Sequence, residues 1–397
     1  MRQHINLLRE FSAPLLLGVA IALFWANMDA HSYGAFIHEP VLLKLDLHFL
    51  TNDIFMTLFF GIAAAEITQS LLPGGDLNPP KKAANALMAT LGGILGPVLV
   101  FFTLNSFFGE PSLAKGMGIP TATDIALAWL VARIAFGKEH PAIAFLLLLA
   151  IADDAIGILI IALFYPNPAV PPEPMWLLLV LAGTGMAHLF SRATITSYWP
   201  YLIVAGSLVW TGLYYGHFHP ALSLVFVVPF LPHGKSEEEH LFEISSSKSS
   251  TLERFVQEWR LFVDLGMFLF GLVNAGVRFS QASEATWLVL AGLALGKTVG
   301  ISLFSALGRL IGFPLPEGMN TMDTFLAGMI GGIGFTVALF IAGEAFLDPD
   351  LQAAAKMGAL FSIGMALPAI IWGRYRQAAA RKTSSRRDEL PEQASTL

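Results

Sequence analysis

Two carboxylates, Asp153 and Asp154, stand side by side in AIADDAIGILIIAL, near the middle of an apolar run bounded by Pro141 and Pro166. Two further charges interrupt apolar stretches. Asp124 directly follows Thr123 in GIPTATDIALAW, and Lys297 lies midway through GLALGKTVGISLF. Carboxylates and a threonine hydroxyl are hard oxygen ligands, the set that suits small hard cations. The same carboxylates bind protons. A site where a proton and a cation compete is loaded with either but not with both, which makes it an exchanger by construction. One alternative is a structural charge cluster closed by Lys297. For Lys297 alone, another is a long side chain that snorkels to an interface.

The surroundings make these charges expensive. The chain has 397 residues, of which 55% are hydrophobic and 13% charged, where a soluble protein carries roughly a quarter charged residues. It therefore reads as a polytopic membrane protein. A charge at the bilayer centre costs at least about 2.5 kcal/mol, so two adjacent ones are hard to explain as filler. Consecutive helical residues point about 100° apart. One of the pair can line a cavity while the other reaches a neighbouring helix. The net charge of −6 implies no nucleic-acid partner, and the absence of cysteine excludes disulfides and thiol chemistry. The amino-terminal stretch has the basic and apolar parts of a signal peptide but no convincing cleavage site, and reads as an uncleaved first helix.

About twelve candidate spans follow from the apolar segments, near 11–27, 51–72, 84–107, 119–136, 141–165, 174–191, 196–213, 217–232, 258–277, 285–309, 323–345 and 352–373. With a cytoplasmic amino terminus, eighteen lysines and arginines fall inside. Lys44, Lys115 and Arg278 fall outside, and Lys297 and Lys356 lie within spans, Lys356 snorkelling outward. A frame shifted by one span loses this bias, so both ends are expected in the cytoplasm. The longest polar stretch, residues 233–254, divides about eight spans from about four, and the tail from about 377 reads as disordered.

Those spans must position the charges, and two look built for it. The spans near 84–165 and near 285–373 form two groups of three, and the middle member of each is interrupted: Pro120 and two threonines in one, three glycines within GGIG (331–334) in the other. Paired Gly/Pro-interrupted spans point to a transporter's midplane site. The rival explanation is Gly-mediated helix packing. Where half-helices meet, an aspartate offsets positive N-termini and a lysine offsets negative C-termini. Lys297 can instead pair with one of the two aspartates, leaving the other free to bind something.

Six motifs in order, IPTATDIALA (119–128), LAIADDAIGILIIALFY (149–165), FGLVNAGV (270–277), LGKTVGISLF (295–304), LPEG (315–318) and GGIGFTVALFIA (331–342), resemble the NhaA-type sodium/proton antiporter family over roughly 10–376. The resemblance implies an all-α polytopic membrane protein of twelve transmembrane helices, with inverted repeats and two crossed discontinuous helices. A single transporter domain spans 1–376, followed by a tail at 377–397. It implies an electrogenic secondary transporter of sodium, lithium and protons in the bacterial inner membrane, serving pH and sodium homeostasis, with no cofactor and no enzymatic activity. By position, Asp154 resembles the sodium ligand, and Asp153 the carboxylate that pairs with Lys297 and exchanges protons. Thr123 and Asp124 match residues at the crossing. Glu66, His219 and Glu253 match positions linked to pH regulation.

The chain also departs from the family. AAEITQS (64–70) keeps Glu66 but replaces the usual basic residues with Ile67 and Thr68. A homodimer fits the family, yet EPVLLKLDLHFLTND (39–53) is too short for the β-hairpin some members use to dimerise. Asp264, in LFVDLGMF, has no family role and reads as water-facing or interfacial. The remaining histidines show no metal-ligand spacing. Among rival functions, a sodium-coupled solute carrier would need a further substrate cavity. An intramembrane aspartyl protease needs two aspartates facing each other, which neighbours on one helix cannot do. A channel is disfavoured because strong midplane charges bind too tightly for fast conduction.

Overall fold

The structure, a computed structural model, describes residues 13–42, 45–78, 80–166, 170–233 and 250–378. Most of the polar stretch 233–254, the tail beyond 378 and Arg2, Arg9, Lys44, Lys235 and Lys248 lie outside the described residues. The rest is almost wholly helical. In chain order come α1 (Ala13–Met28), α2 (Ala30–His38), strands β1 (Pro40–Leu42) and β2 (Leu45–Asp46), α3 (Leu47–Leu71) and α4 (Pro80–Phe108). A 3₁₀ segment Pro111–Thr121 precedes α5 (Ile125–Phe136), followed by α6 (Pro141–Phe164), α7 (Pro174–Arg192) and α8 (Tyr201–Tyr215). A tight helical segment Pro220–Phe230 leads to α9 (Thr251–Asn274), α10 (Glu284–Leu310), α11 (Thr321–Gly331), α12 (Thr336–Ala345) and α13 (Pro349–Ala378).

Among the described residues, six helices (α3, α4, α6, α7, α10 and α13) are long and apolar enough to cross a bilayer. Two further pairs qualify only together. Pro111–Thr121 with α5 is bent by 57°, and α11 with α12 by 49°. Large apolar side chains such as Phe24, Leu99, Leu178 and Leu303 face outward, as helices in contact with lipid require. The charged α9 is held at its start by a capping box: Ser250 Oγ accepts from Glu253 N at 3.2 Å, and Glu253 Oε2 from Ser250 N at 2.9 Å.

Three boundaries differ from the sequence reading. The first interrupted span starts at Pro111 rather than near 119. Its early half is a 3₁₀ helix, whose three-residue turn does not show as a 3.6-residue period. α9 starts at Thr251, so Glu253 lies on a helix and not in a loop. The last helix runs to Ala378. The stretch after α2 does pair as a small hairpin, Pro40 opposite Asp46 and Leu42 opposite Leu45, although with only three and two residues per strand.

One seam holds the helix that carries Lys297. Gly92 and Gly96 on α4 meet Gly296 and Gly300 on α10 so closely that a Cβ at any of them would collide with the facing backbone. Small residues four apart are what allow membrane helices to approach to backbone contact. The seam holds the Lys297 turn of α10 against the bundle. That turn, Gly292–Lys297, is widened to a π turn, a local geometry that often accompanies functional side chains.

Candidate functional site

Both breaks are short, and they touch. The first covers Ala122, Thr123 and Asp124; the second covers residues 332–335. The Asp124 amide donates to the Ile333 carbonyl at 2.8 Å, and the Thr123 hydroxyl lies 2.9 Å from the Gly331 carbonyl. Glycine is needed here: a Cβ at Gly334 would press on the Ala122 carbonyl and on Leu293. Tyr165, at the end of α6, secures the first half-helix by accepting from Gly118 N at 2.8 Å and donating to Lys115 O at 2.6 Å.

Asp124 serves two helices at once. Its Oδ1 accepts from Leu127 N at 3.0 Å and caps α5. Its Oδ2 accepts from Thr336 Oγ1 at 2.5 Å and from Thr336 N at 3.3 Å, at the start of α12. No side chain next to α12 in sequence caps it, so a residue more than two hundred positions away does. A carboxylate offsets the partial positive charge of a helix N-terminus, and here one carboxylate faces two.

The adjacent aspartates part company, as the 100° step between neighbours requires. Asp153 is 1% exposed and Lys297 is fully buried. Lys297 Nζ pairs with Asp153 Oδ2 and also donates to Thr123 Oγ1 at 2.6 Å. The Thr123 hydroxyl lies 2.7 Å from the same Asp153 oxygen. Its single proton serves either Asp153 or the Gly331 carbonyl, so Thr123 links the ion pair to the C-terminal end of α11. Asp154 instead lines a cavity of about 200 Å³, together with Thr123, Asp124, Glu66, Arg260 and Asp264. One buried oxygen on each aspartate, Asp153 Oδ1 and Asp154 Oδ1, has no hydrogen-bond partner. Buried polar atoms are almost always paired, which marks these two oxygens out, and of the two residues Asp154 is the one that lines the cavity.

The family described as Na+/H+ antiporter 1 matches residues 5–372. The chain belongs to that family. The Na+/H+ antiporter NhaA of Geobacter metallireducens is 60% identical over 374 residues, covering 94% of this chain and 98% of that protein. The Na+/H+ antiporter NhaA of Jannaschia is 41% identical over 94% of this chain and 97% of its own length. A solved sodium proton antiporter of Methanocaldococcus jannaschii superposes with a TM-score of 0.53, covering 94% of this chain and 92% of that one at 13% identity. At that identity the likeness concerns the fold alone. Family membership and the long apolar helices make the chain a multi-pass membrane protein, built as a transporter of the Na+/H+ antiporter family.

Of the residues the sequence singled out, Asp153, Asp154, Thr123, Asp124 and Lys297 come together at the breaks, and Glu66 joins them across the cavity. Two do not. Glu253 is exposed and occupied in the capping box of α9. His219 is buried against the edge of Phe340, with Nδ1 3.7 Å from Glu344. Lys356 does not snorkel outward. It is half-buried beside Gly343 and within electrostatic reach of Glu344, which gives it a counter-charge inside the protein.

Thr336 and Arg260 were missed. Thr336 had a signal, since it follows its break much as Thr123 precedes Asp124 at the other. Arg260 and Asp264 stand four residues apart in an otherwise apolar stretch, the spacing of one helical face.

Proposed function

We propose that the chain is an electrogenic sodium/proton antiporter that expels cytoplasmic sodium, or lithium, in exchange for external protons. The observation that carries this reading is the split between the neighbours: Asp154 opens on the cavity, while Asp153 is closed in by Lys297 and Thr123. A sodium ion entering the cavity meets Asp154 as its anionic ligand, with hydroxyl and freed carbonyl oxygens nearby. A proton competes for the same carboxylate. When Lys297 separates from Asp153, that carboxylate becomes a second proton acceptor, so more protons than sodium ions cross per cycle. Thr123 and Asp124 hold the two breaks together while this happens.

The reading takes the six long helices, the two bent pairs, the three shorter apolar helices (α1, α8 and Pro220–Phe230) and α9 as twelve spans, with both termini cytoplasmic in a bacterial inner membrane. The units near 84–165 and 285–373 act as inverted repeats whose broken members cross at the midplane, within a single domain over 1–376. One repeat-containing part moves against the rest to switch access. Assembly of two copies is not needed for any step. Glu66, which lines the cavity, is placed to influence the pH response, as are His219 and Glu253 from outside it. Exchange of this kind serves sodium and pH homeostasis.

The test is proton efflux from proteoliposomes with an acidic lumen, read with a pH-sensitive dye after adding sodium, lithium or potassium outside. Sodium and lithium should discharge the gradient in the parent and fail to do so in Asp154→Asn. A potential-sensitive dye in the same vesicles reads the electrogenic step. Unchanged sodium-driven efflux in Asp154→Asn refutes the site assignment, and no response of the parent to any of the three ions refutes the function.

A further inference from the structure

The cavity holds more charge than exchange at Asp154 requires. Four carboxylates line it: Asp124 at the break, Asp154 on α6, Glu66 on α3 and Asp264 on α9. Arg260 of α9 lies among them, one turn before Asp264 on the same helix face. Glu66, across the cavity, is within electrostatic reach of both Arg260 and Asp264. Asp124 is committed to the ends of α5 and α12. Glu66 and Asp264 are the other carboxylates lining the space that an entering cation crosses to reach Asp154. A cleft lined by one sign of charge concentrates counter-ions along its whole length, and sodium held at Glu66 or Asp264 is not at the exchange site. Arginine is the cation suited to preventing this, because it keeps its charge at every working pH and is tethered.

We propose that Arg260 is a resident cation of the cavity that balances Glu66 and Asp264, so that entering sodium is held at Asp154, and that its charge sets the apparent affinity for sodium. This rests on the antiporter reading above. The sign follows from electrostatics. Removing the arginine charge makes the cavity more negative and tightens sodium binding; removing the Asp264 charge loosens it. If the separation is taken as about 8 Å and the effective dielectric of a watery cleft as about 40–80, one unit charge changes an affinity by roughly two- to sixfold.

The experiment is sodium binding to the purified full-length protein by titration calorimetry at low ionic strength, alongside the half-saturating sodium concentration for proton efflux in proteoliposomes. Arg260→Gln should bind sodium about two- to sixfold more tightly than the parent, with a matching fall in KM. Asp264→Asn should bind it weaker by a similar factor. Arg260→Lys, which keeps the charge, and the doubly substituted Arg260→Gln/Asp264→Asn, which restores the balance, should stay close to the parent. A purely structural role for Arg260 would lower activity without tightening binding, and the second substitution would not reverse it. Unchanged or weaker binding in Arg260→Gln overturns the proposal, as does Arg260→Lys behaving like Arg260→Gln. A parent that binds no sodium, or an Asp154→Asn variant that binds it as the parent does, overturns the antiporter reading instead, and the proposal falls with it.

Discussion

Replacing Lys297 by methionine removes one half of a fully buried ion pair while keeping the volume of the side chain. Asp153 is then left 1% exposed, with Thr123 as its remaining partner. Breaking a buried pair from one side costs about 3–5 kcal/mol, because the uncompensated charge stays inside. At about 2–4 °C per kcal/mol for chains of a few hundred residues, the midpoint of thermal unfolding should fall by roughly 10 °C. The loss should depend on pH. Taking up a proton removes the stranded charge, so the penalty should shrink on acidification by at most about 1.4 kcal/mol per pH unit. The pair can also be removed whole. Replacing a buried pair outright is often nearly neutral, so Asp153→Asn combined with Lys297→Met should recover most of the stability. The assay is the fluorescence of the protein's 8 tryptophans during heating in detergent, at alkaline and at mildly acidic pH. A Lys297→Met protein as stable as the parent at alkaline pH would refute the buried-pair argument. So would a double variant no more stable than the single one.

Three other substitutions probe the frame around the site. Gly300→Val should drive its side chain into the Gly92 carbonyl, costing about 1–3 kcal/mol or more as overpacking and lowering both the unfolding temperature and sodium-driven efflux by displacing the Lys297 turn. Asp124→Ala should remove bonds to Leu127, to the Thr336 amide and to the Thr336 hydroxyl. A lost cap alone costs about 0.5–2 kcal/mol, so a combined loss above that range is expected, with Asp124→Asn retaining part of it; unfolding temperatures measure both. Arg376→Ala should leave Asp323, 2% exposed and held by Arg376 at 2.5 Å, with a weakened set of partners. The expected loss is about 1–3 kcal/mol, read as a lower unfolding temperature, and an unchanged value would show that the pair contributes nothing.

Much of the site was legible because membrane burial makes polar residues conspicuous. Asp153, Asp154, Asp124 and Lys297 stood out against apolar surroundings, and the order of motifs around them pointed to a family that the comparisons then established. The positions of the breaks were legible from Pro120 and from GGIG. The early half of the first interrupted span was not, because a 3₁₀ segment carries no 3.6-residue pattern. The capping box of α9 was overlooked for a simpler reason: Ser250 and Glu253 ended a long polar stretch that read as loop.

What the sequence determined by itself was which side chains had to be explained: charges that apolar surroundings forbid unless something answers them. It also determined, through the 100° step between adjacent helical residues, that Asp153 and Asp154 could not do the same thing. Helix geometry did not say which of them meets Lys297; the family resemblance implied Asp153, and the tertiary structure pairs Asp153 with Lys297 and sets Asp154 on the cavity. That arrangement depends on α6 and α10 both packing on α4, where Gly92 and Gly96 meet Gly296 and Gly300. Only the tertiary structure decided that Asp124 caps α12 as well as α5, and that Glu66, Arg260 and Asp264 share one cavity. These are contacts between residues far apart in the chain, and a local pattern of residue types carries no information about which distant helix face will meet it.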